Sequence, residues 1–552
     1  MTRSEDIVRD WFRIGPRRRA TAWSEHAVVT LAENIDLEML KPRTLYRFVM
    51  GADSDFSIMS SSEIAQLADP MGALLGQGKF PLTAGALLSE LDAAGMVPRQ
   101  SSFMISEAGQ ISPDRASSLH RDVRFAIVRG KSSDADLAIS TGAVGDPAAV
   151  FLQVAGWDDR AGLFNYYMRV SGTWVWAGNS YHALASPSRG YGCFDSHVNG
   201  SLVMKELKQP WLNWQSMNAT IQLADDDPLR QNPLYQSLSG AEELENIVRA
   251  GISRWTRARL KHAVTTDREI PNSDWLLRQL CTTTTVNLAS TIVASSTAAT
   301  APSATLLLPL GFWFNADVLV NPPLNIPVDS AVPSVTGKLY ADSLARYDFA
   351  LVQDDFRQPG DAFFAFVVPE AAFEDIDVIR QMVTTGILTA HFAASVLMVD
   401  FPNPVFSPAR ATLFQYMPTA ATLDPAAGGL SQQIAAVISK AADGHPADSP
   451  EAEFKANWEL AESEWQNVFA SRIESYLAAV TERISSVAGF DDYVRLAESR
   501  RREFKRMRLN EFALTLPVTN IPLDAPLLQM RPDGTIQEKL VLATQPEESA
   551  PQ

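Results

Sequence analysis

Cysteine is almost absent from the chain. Among 552 residues there are two cysteines, Cys193 and Cys281, which lie far apart and form no Cys-x-x-Cys pair. Disulfide scaffolds and structural zinc sites both need clustered cysteines, so the sequence excludes these two ways of organising a fold. Scarce cysteine is typical of a protein of the reducing cytoplasm, and we expect this location.

Long apolar runs are also missing. The two longest, residues 304–320 and 386–399, fall short of the ~20 residues that a membrane-spanning helix requires. Residues 1–23 carry charges throughout and lack the apolar segment of a secretory signal. We therefore expect no membrane partner and no export.

Positive charge is in deficit. The chain has 47 Lys and Arg against 64 Asp and Glu, a formal net charge of −17 at pH 7. Nucleic-acid binding depends on clustered positive side chains that neutralise phosphates, so we predict no nucleic-acid partner. At roughly 150 residues per domain, the length corresponds to about three or four structural units.

Standard cofactor motifs are lacking as well. The chain contains no GxGxxG loop, no HExxH motif and no EF-hand loop. Residues 72–80 resemble a phosphate loop, but the glycine spacing is one residue too long and Phe80 stands where Ser or Thr would hold magnesium. Residues 178–182 begin like a nucleophile elbow, but His182 replaces the glycine that the turn needs. No nucleotide cofactor is predicted.

The pattern along the chain predicts an α+β fold. Four runs rich in aromatic and β-branched residues, separated by turn signals, indicate an antiparallel meander within about 121–225. We expect helices from the middle and C-terminal parts to pack on this aromatic-rich sheet. The predicted parts are short helices and loops at 1–120, the sheet at 121–225, an α/β region at 226–440, and a long helix, a basic helix and a disordered tail at 441–552.

Helical periodicity is clearest in three segments. Apolar residues recur on one face over residues 240–262, 373–399 and 449–487, and we expect the last helix to have at most one break and to bury Trp458 and Trp465. The basic run Arg500-Arg501-Arg502 is predicted to lie on a solvated helix face.

Aromatic and polar residues concentrate in residues 157–214. This stretch holds five of the 12 tryptophans, Cys193 and two of the seven histidines. If residues 194–198 are extended, Asp195 and His197 point to the same face, because side chains alternate along a strand. His182 is the nearest second histidine, and the intervening loop is long enough to fold back.

Two histidines and one carboxylate form the ligand set of non-haem Fe(II) sites, which leave positions open for substrate and oxygen. The central prediction is therefore a cytoplasmic oxidoreductase that acts on a small or aromatic organic substrate. His182, Asp195 and His197 would be both the metal ligands and the catalytic residues. Haem is the weaker alternative cofactor, and His391 would be its axial ligand.

Two other function classes remain open. His182 or His197 could serve as a general base oriented by Asp195, in a lyase or hydrolase without a cofactor. The chain could instead be a non-catalytic binding or scaffold protein whose aromatic side chains grip a ligand. A structural role for the three polar residues is the ordinary alternative to both kinds of chemistry. The expected partner is a small molecule, and the sequence leaves the oligomeric state open.

Overall fold

The structure is a computed structural model. It describes residues 40–106, 111, 123–132, 134–217, 219–290, 301–353, 356–360, 367–424, 429–507, 514 and 516–539.

Eight strands form one mixed sheet in the order β2-β1-β8-β7-β6-β5-β4-β3. They are β1 (Leu45–Arg47), β2 (Ser57–Ile58), β3 (Arg99–Ile105), β4 (Arg124–Gly130), β5 (Leu137–Gly142), β6 (Leu152–Asp158), β7 (Leu163–Val170) and β8 (Thr173–Asn179). Strands β3 to β8 form an antiparallel meander, in which each strand pairs with the next.

The predicted combination of helices with a large sheet is confirmed, with two corrections. The sheet is not wholly antiparallel, because β1 runs parallel to β8. It is also not confined to residues 121–225, because β1, β2 and β3 come earlier in the chain. From 180 to 225, the described residues form turns, a 3-10 helix and irregular backbone. Aromatic residues there, such as Trp211 and Trp214, are buried from loops.

Helices cover both faces of the sheet. They are α1 (Ser61–Ile64), α2 (Pro70–Gly76), α3 (Ala84–Ala93), α4 (Pro233–Gln236) and α5 (Ala241–Ala263). The α2 helix lies on one face, where the Tyr167 hydroxyl donates to Asp69, the buried N-cap of α2, at 2.6 Å. The α5 helix lies on the other face, beside the neighbouring residue Tyr166. Adjacent residues of a strand point to opposite faces, which gives the three-layer arrangement.

A second hydrophobic core is formed by the later helices and by paired short strands. The helices are α6 (Ser273–Cys281), α7 (Leu310–Trp313), α8 (Ala316–Leu319), α9 (Gly337–Arg346), α10 (Phe373–Thr384), α11 (Ala390–Leu397), α12 (Pro408–Thr412), α13 (Gly429–Ala442), α14 (Pro450–Trp458), α15 (Trp465–Ile484) and α16 (Val487–Arg506). The strands are β9 (Glu269–Ile270), β10 (Val286–Ala289), β11 (Thr305–Leu307), β12 (Ser334–Thr336), β13 (Ala350–Gln353), β14 (Phe356–Pro359), β15 (Val368–Ala371), β16 (Ala421–Thr422), β17 (Leu528–Met530) and β18 (Ile536–Glu538).

The predicted helix over residues 373–399 is two helices, α10 and α11. Gly386 adopts a left-handed φ of +75° between them, and the side chain of Thr389 caps the start of α11. The predicted helix over 449–487 has its single break between α14 and α15. Trp465 is buried there, whereas Trp458 is only partly buried.

The basic run on α16 is buried, so the prediction of a solvated face is wrong. Arg500, Arg501 and Arg502 are 2%, 0% and 4% exposed. Arg501 pairs with Glu498 at 2.6 Å, while the other two guanidinium groups donate mainly to backbone carbonyls of distant segments. These acceptors replace water around the charges, which makes the burial possible.

Several predictions remain open. The buried side chains of α15 and α16 belong to the second core, so their predicted packing on the sheet is unconfirmed. The division at residues 120, 225 and 440 stays a prediction, and the predicted tail at 546–552 lies outside the described residues. Within the described part of the chain, no helix combines the length and apolarity that crossing a bilayer demands.

The first testable prediction concerns Trp465, which is 3% exposed and stacks on the His391 ring at a centroid distance of 5.2 Å. Replacing a buried Trp with Ala costs about 3 to 5 kcal/mol. We expect Trp465→Ala to lower the free energy of unfolding by this amount in urea denaturation. The neighbouring exposed residue supplies the control, since Glu464→Gln should leave the urea midpoint unchanged. An unchanged midpoint in Trp465→Ala would contradict the buried position.

Candidate functional site

A cavity of about 220 Å³ lies between the sheet and helix α5. We call it the sheet cavity. Strands β4, β5, β6 and β7 form its floor, α5 forms part of its roof, and the chain after β8 closes one side.

Small side chains leave room for the cavity. Ala126 of β4 and Ser140 of β5 lie opposite each other, with the longer Gln153 beside them on β6, and Ala138 and Ala155 lie opposite each other in a second row. Residues paired directly across strands share a face of the sheet, so both rows point toward α5. Large side chains at these positions would fill the space that is now open.

The roof is apolar. Leu244 and Val248 of α5 are four residues apart and therefore lie on one face of the helix. Leu202, Val203 and the buried Trp214 complete the roof from the chain that follows β8. The sheet cavity thus has an aromatic ring and branched aliphatic chains on the side that faces the small residues.

Residues 192–200 bring Cys193, Asp195 and His197 to the cavity wall. Residues Gly192–Asp195 form a 3-10 helix, and the His197 amide donates to the Cys193 carbonyl at 3.1 Å. Residues 194–198 therefore do not meet the condition of extended backbone from which the shared face of Asp195 and His197 is inferred. Gly192 has φ +59°, a left-handed conformation that favours glycine, and the chain turns there into the helix. The helical turn still places Asp195 and His197 in one wall.

Ser180 holds this segment against the end of β8. Its Oγ donates to the Gly200 carbonyl at 2.6 Å and accepts the Phe164 amide at 2.9 Å. A Cβ on Gly200 would lie 2.4 Å from the Ser180 carbonyl oxygen, and Gly200 has φ +74°. Glycine is therefore required for the close approach of the two chain segments.

His197 is held as a neutral ring. Its Nδ1 lies 2.6 Å from the Ser201 carbonyl oxygen, which can only accept, so Nδ1 carries the proton. Burial lowers the pKa of His197 to about 4, against the raising effect of the Ser201 carbonyl. At neutral pH the Nε2 atom is therefore an unprotonated acceptor and a potential base.

Cys193 lines the same wall as a neutral thiol. Burial, followed by the charge of Asp195, raises the pKa of Cys193 to about 12. The thiolate is the nucleophilic form of cysteine, so this environment disfavours covalent chemistry at Cys193. Asp195 itself accepts from the Ser196 hydroxyl at 3.0 Å.

His182 lies apart from the cavity lining. Its Nδ1 faces Asn179 Oδ1 at 2.9 Å, and its ring meets the Trp176 ring edge to face at 5.4 Å between centroids. Burial, and then the charge of Arg47, lowers the pKa of His182. Of the three predicted site residues, the structure brings Asp195 and His197 to one wall and places His182 beside the end of β8. Among the described residues, no group of three or more His, Cys, Asp or Glu side chains is arranged to hold a metal ion.

His391, the predicted haem ligand, is engaged in the second core. Its ring stacks on that of Trp465 and contacts that of Trp458 at a tilted angle. Its Nδ1 lies 3.1 Å from Glu462 Oε2 and its Nε2 lies 3.2 Å from the Asn457 carbonyl oxygen. Haem ligation by His391 would require the loss of one of these contacts.

Sequence reasoning missed the floor of the sheet cavity, although a signal was present. Small residues alternate with large ones in three strands: Ala126 precedes Ile127, Ala138 precedes Ile139, and Ala155 follows Val154. Alternation of size with period two predicts one packed face and one face with open space. Trp174 and Trp176, two aromatic residues of the predicted site region, lie on the opposite face of the sheet, in the core.

Comparisons of the chain with protein-family models, with curated proteins and with solved structures found no match. The function proposed below rests on the geometry of the sheet cavity.

The second testable prediction is a pH dependence caused by His197. Because its pKa is lowered from about 6.5 to about 4 in the folded protein, its contribution to stability is present above pH 6.5 and is lost as the pH falls to about 4. His197→Asn keeps a donor for the Ser201 carbonyl without a titrating ring. Over this pH range, the variant should lose up to ~3 kcal/mol less unfolding free energy than the wild type.

The control is His262→Asn, at an exposed position of α5, which should follow the wild-type pH curve. Identical pH curves for His197→Asn and the wild type would show that His197 titrates normally.

Proposed function

We propose that the protein binds a small organic molecule in the sheet cavity. The observation that carries this proposal is the concave space of about 220 Å³ between helix α5 and two rows of mostly small side chains. A concave space with a mainly apolar lining and a few polar groups is the usual form of a small-molecule binding site, so this space points to a ligand.

The size and the wall favour a compact apolar ligand. Pockets for drug-sized molecules measure roughly 300 to 1,000 Å³, so this ligand is smaller, while a cavity of about 150 Å³ is known to bind benzene. Trp214, Tyr166, Leu244 and Val248 supply aromatic and aliphatic contacts. An aromatic ring with a few further atoms matches both the volume and the lining.

Acid–base catalysis on this ligand is the second candidate function. It is favoured by His197, whose proton is held on Nδ1 by the Ser201 carbonyl and whose ring lines the cavity. Such a ring offers Nε2 as a proton acceptor. In this version the protein is a cofactor-free lyase or hydrolase.

An iron oxidoreductase with His182, Asp195 and His197 as ligands stays a prediction alongside this proposal. Asp195 and His197 share the cavity wall, but His182 would have to leave Asn179 and move toward them. The cytoplasmic location and the exclusion of nucleic-acid and membrane partners also stay predictions from composition.

The third testable prediction is that toluene binds in the sheet cavity. A ligand that binds only the folded state raises the melting temperature. Saturating toluene should raise the melting temperature of the wild type. In Ala155→Phe, a ring occupies the centre of the floor, so toluene should raise its melting temperature little or not at all.

Ala86→Phe is the matched control, because it makes the same change at an exposed position of α3. It should respond to toluene like the wild type. An equal rise in all three proteins would place the toluene outside the sheet cavity and contradict the proposal.

The fourth testable prediction separates the chemistries of the three polar residues. Metal content, melting temperature and absorption spectrum should be measured for the wild type and for His182→Ala, Asp195→Asn and His197→Ala. If the three residues share iron, each substitution should sharply reduce bound iron with a modest change in melting temperature. A wild type that takes up no stoichiometric iron would exclude the iron site, and a Soret band would indicate haem instead.

A further inference from the structure

We infer that the ligand of the sheet cavity is an uncharged organic molecule with one hydrogen-bonding group, which Ser140 and Gln153 receive. This inference rests on the proposed function and specifies the class of ligand. The hydrogen-bonding group would be an amide, a hydroxyl or a carbonyl at one end of an apolar body.

The polar end of the cavity is set by two neighbouring strands. Ser140 of β5 and Gln153 of β6 lie directly opposite each other and line the cavity together. The Ser140 hydroxyl is buried and has no hydrogen-bond partner among the described residues. Buried polar groups are nearly always hydrogen-bonded, so a hydroxyl of this kind at a cavity wall points to a partner supplied by the ligand. The Gln153 amide adds a donor and an acceptor beside it.

The charges of the wall balance. Arg124 and Asp195 are its charged side chains and have opposite signs. The Arg124 guanidinium lies over the Phe151 ring at 4.9 Å, and Asp195 accepts from Ser196. An ionised ligand that loses its hydration in this mainly apolar cavity would gain no excess of opposite charge from the wall.

Three probes of nearly equal shape test the inference at pH 7.5: benzamide is neutral, benzoate is an anion and benzylamine is a cation. Calorimetric titration of the full chain should give a Kd for benzamide at least ten-fold lower than for either charged probe. Ser140→Ala should weaken benzamide binding about five-fold, because one hydrogen bond is lost. The same variant should bind toluene, which has no polar group, as the wild type does.

Ser102→Ala is the matched control. The Ser102 hydroxyl is likewise buried and has no partner among the described residues, but Ser102 pairs with Ile127 and therefore points to the opposite face. It should leave benzamide binding unchanged. Each alanine removes a buried hydroxyl without a partner, so both variants should fold, and their melting curves check this.

The outcomes separate the inference from the proposed function. Benzoate or benzylamine binding as tightly as benzamide, or Ser140→Ala binding benzamide like the wild type, overturns the inference while toluene binding upholds the cavity site. If neither toluene nor benzamide binds, the proposed function fails, and the inference fails with it.

Discussion

The packing of α5 against one face of the sheet is the contact on which the other features of the site depend. Leu244 and Val248 close the sheet cavity from above. Further along the helix, Trp255 Nε1 donates to the Asn199 carbonyl at 2.7 Å and so fixes the segment that carries Asp195 and His197. The Asn199 side chain in turn donates to Asp375 of α10 at 3.1 Å. One helix therefore forms the roof, holds the polar wall and connects the sheet to the second core.

The two faces of the sheet meet different requirements. On the face toward α2, Tyr167 and Asn165 both donate to Asp69, which is fully buried, and burial raises the pKa of this carboxyl group. On the face toward α5, the Ala126 and Ala138 rows leave space, and the polar groups of the wall are few and mostly neutral. The first face is stabilised by a satisfied hydrogen-bond network. The second face is packed less tightly, which leaves the sheet cavity. This difference supports a binding role for the α5 face.

The parts of the fold that follow from local periodicity could be predicted from sequence. Four of the five strands between residues 124 and 179 and the helix at 240–262 are predicted, because alternation and helical spacing act over neighbouring residues, whereas β5 (Leu137–Gly142) is missed. Predictions failed where contacts between residues far apart in the sequence determine the local structure. Arg500 is buried because its guanidinium donates hydrogen bonds to carbonyls of residues nearly 100 and 190 positions away. The sequence around Arg500 does not contain these acceptors, so local reasoning cannot find them. The 3-10 turn at Gly192 was likewise missed, since it depends on the left-handed backbone of a single glycine.

The order in which the chain is synthesised determines when Arg502 can be buried with its hydrogen-bond acceptors. Its guanidinium donates to the carbonyls of Pro522, Leu523, Ala525 and Pro526, which leave the ribosome at least 20 residues after it. The buried residues of the sheet core all lie between Leu45 and Trp255, whereas those of the second core extend to Met530. Since synthesis proceeds from the N-terminus, every buried residue of the sheet core has been added before the ribosome reaches most of the second core. Arg502 gains these acceptors only after residue 526 has been added, whereas the acceptors of Arg500 and the Glu498 partner of Arg501 come earlier in the chain.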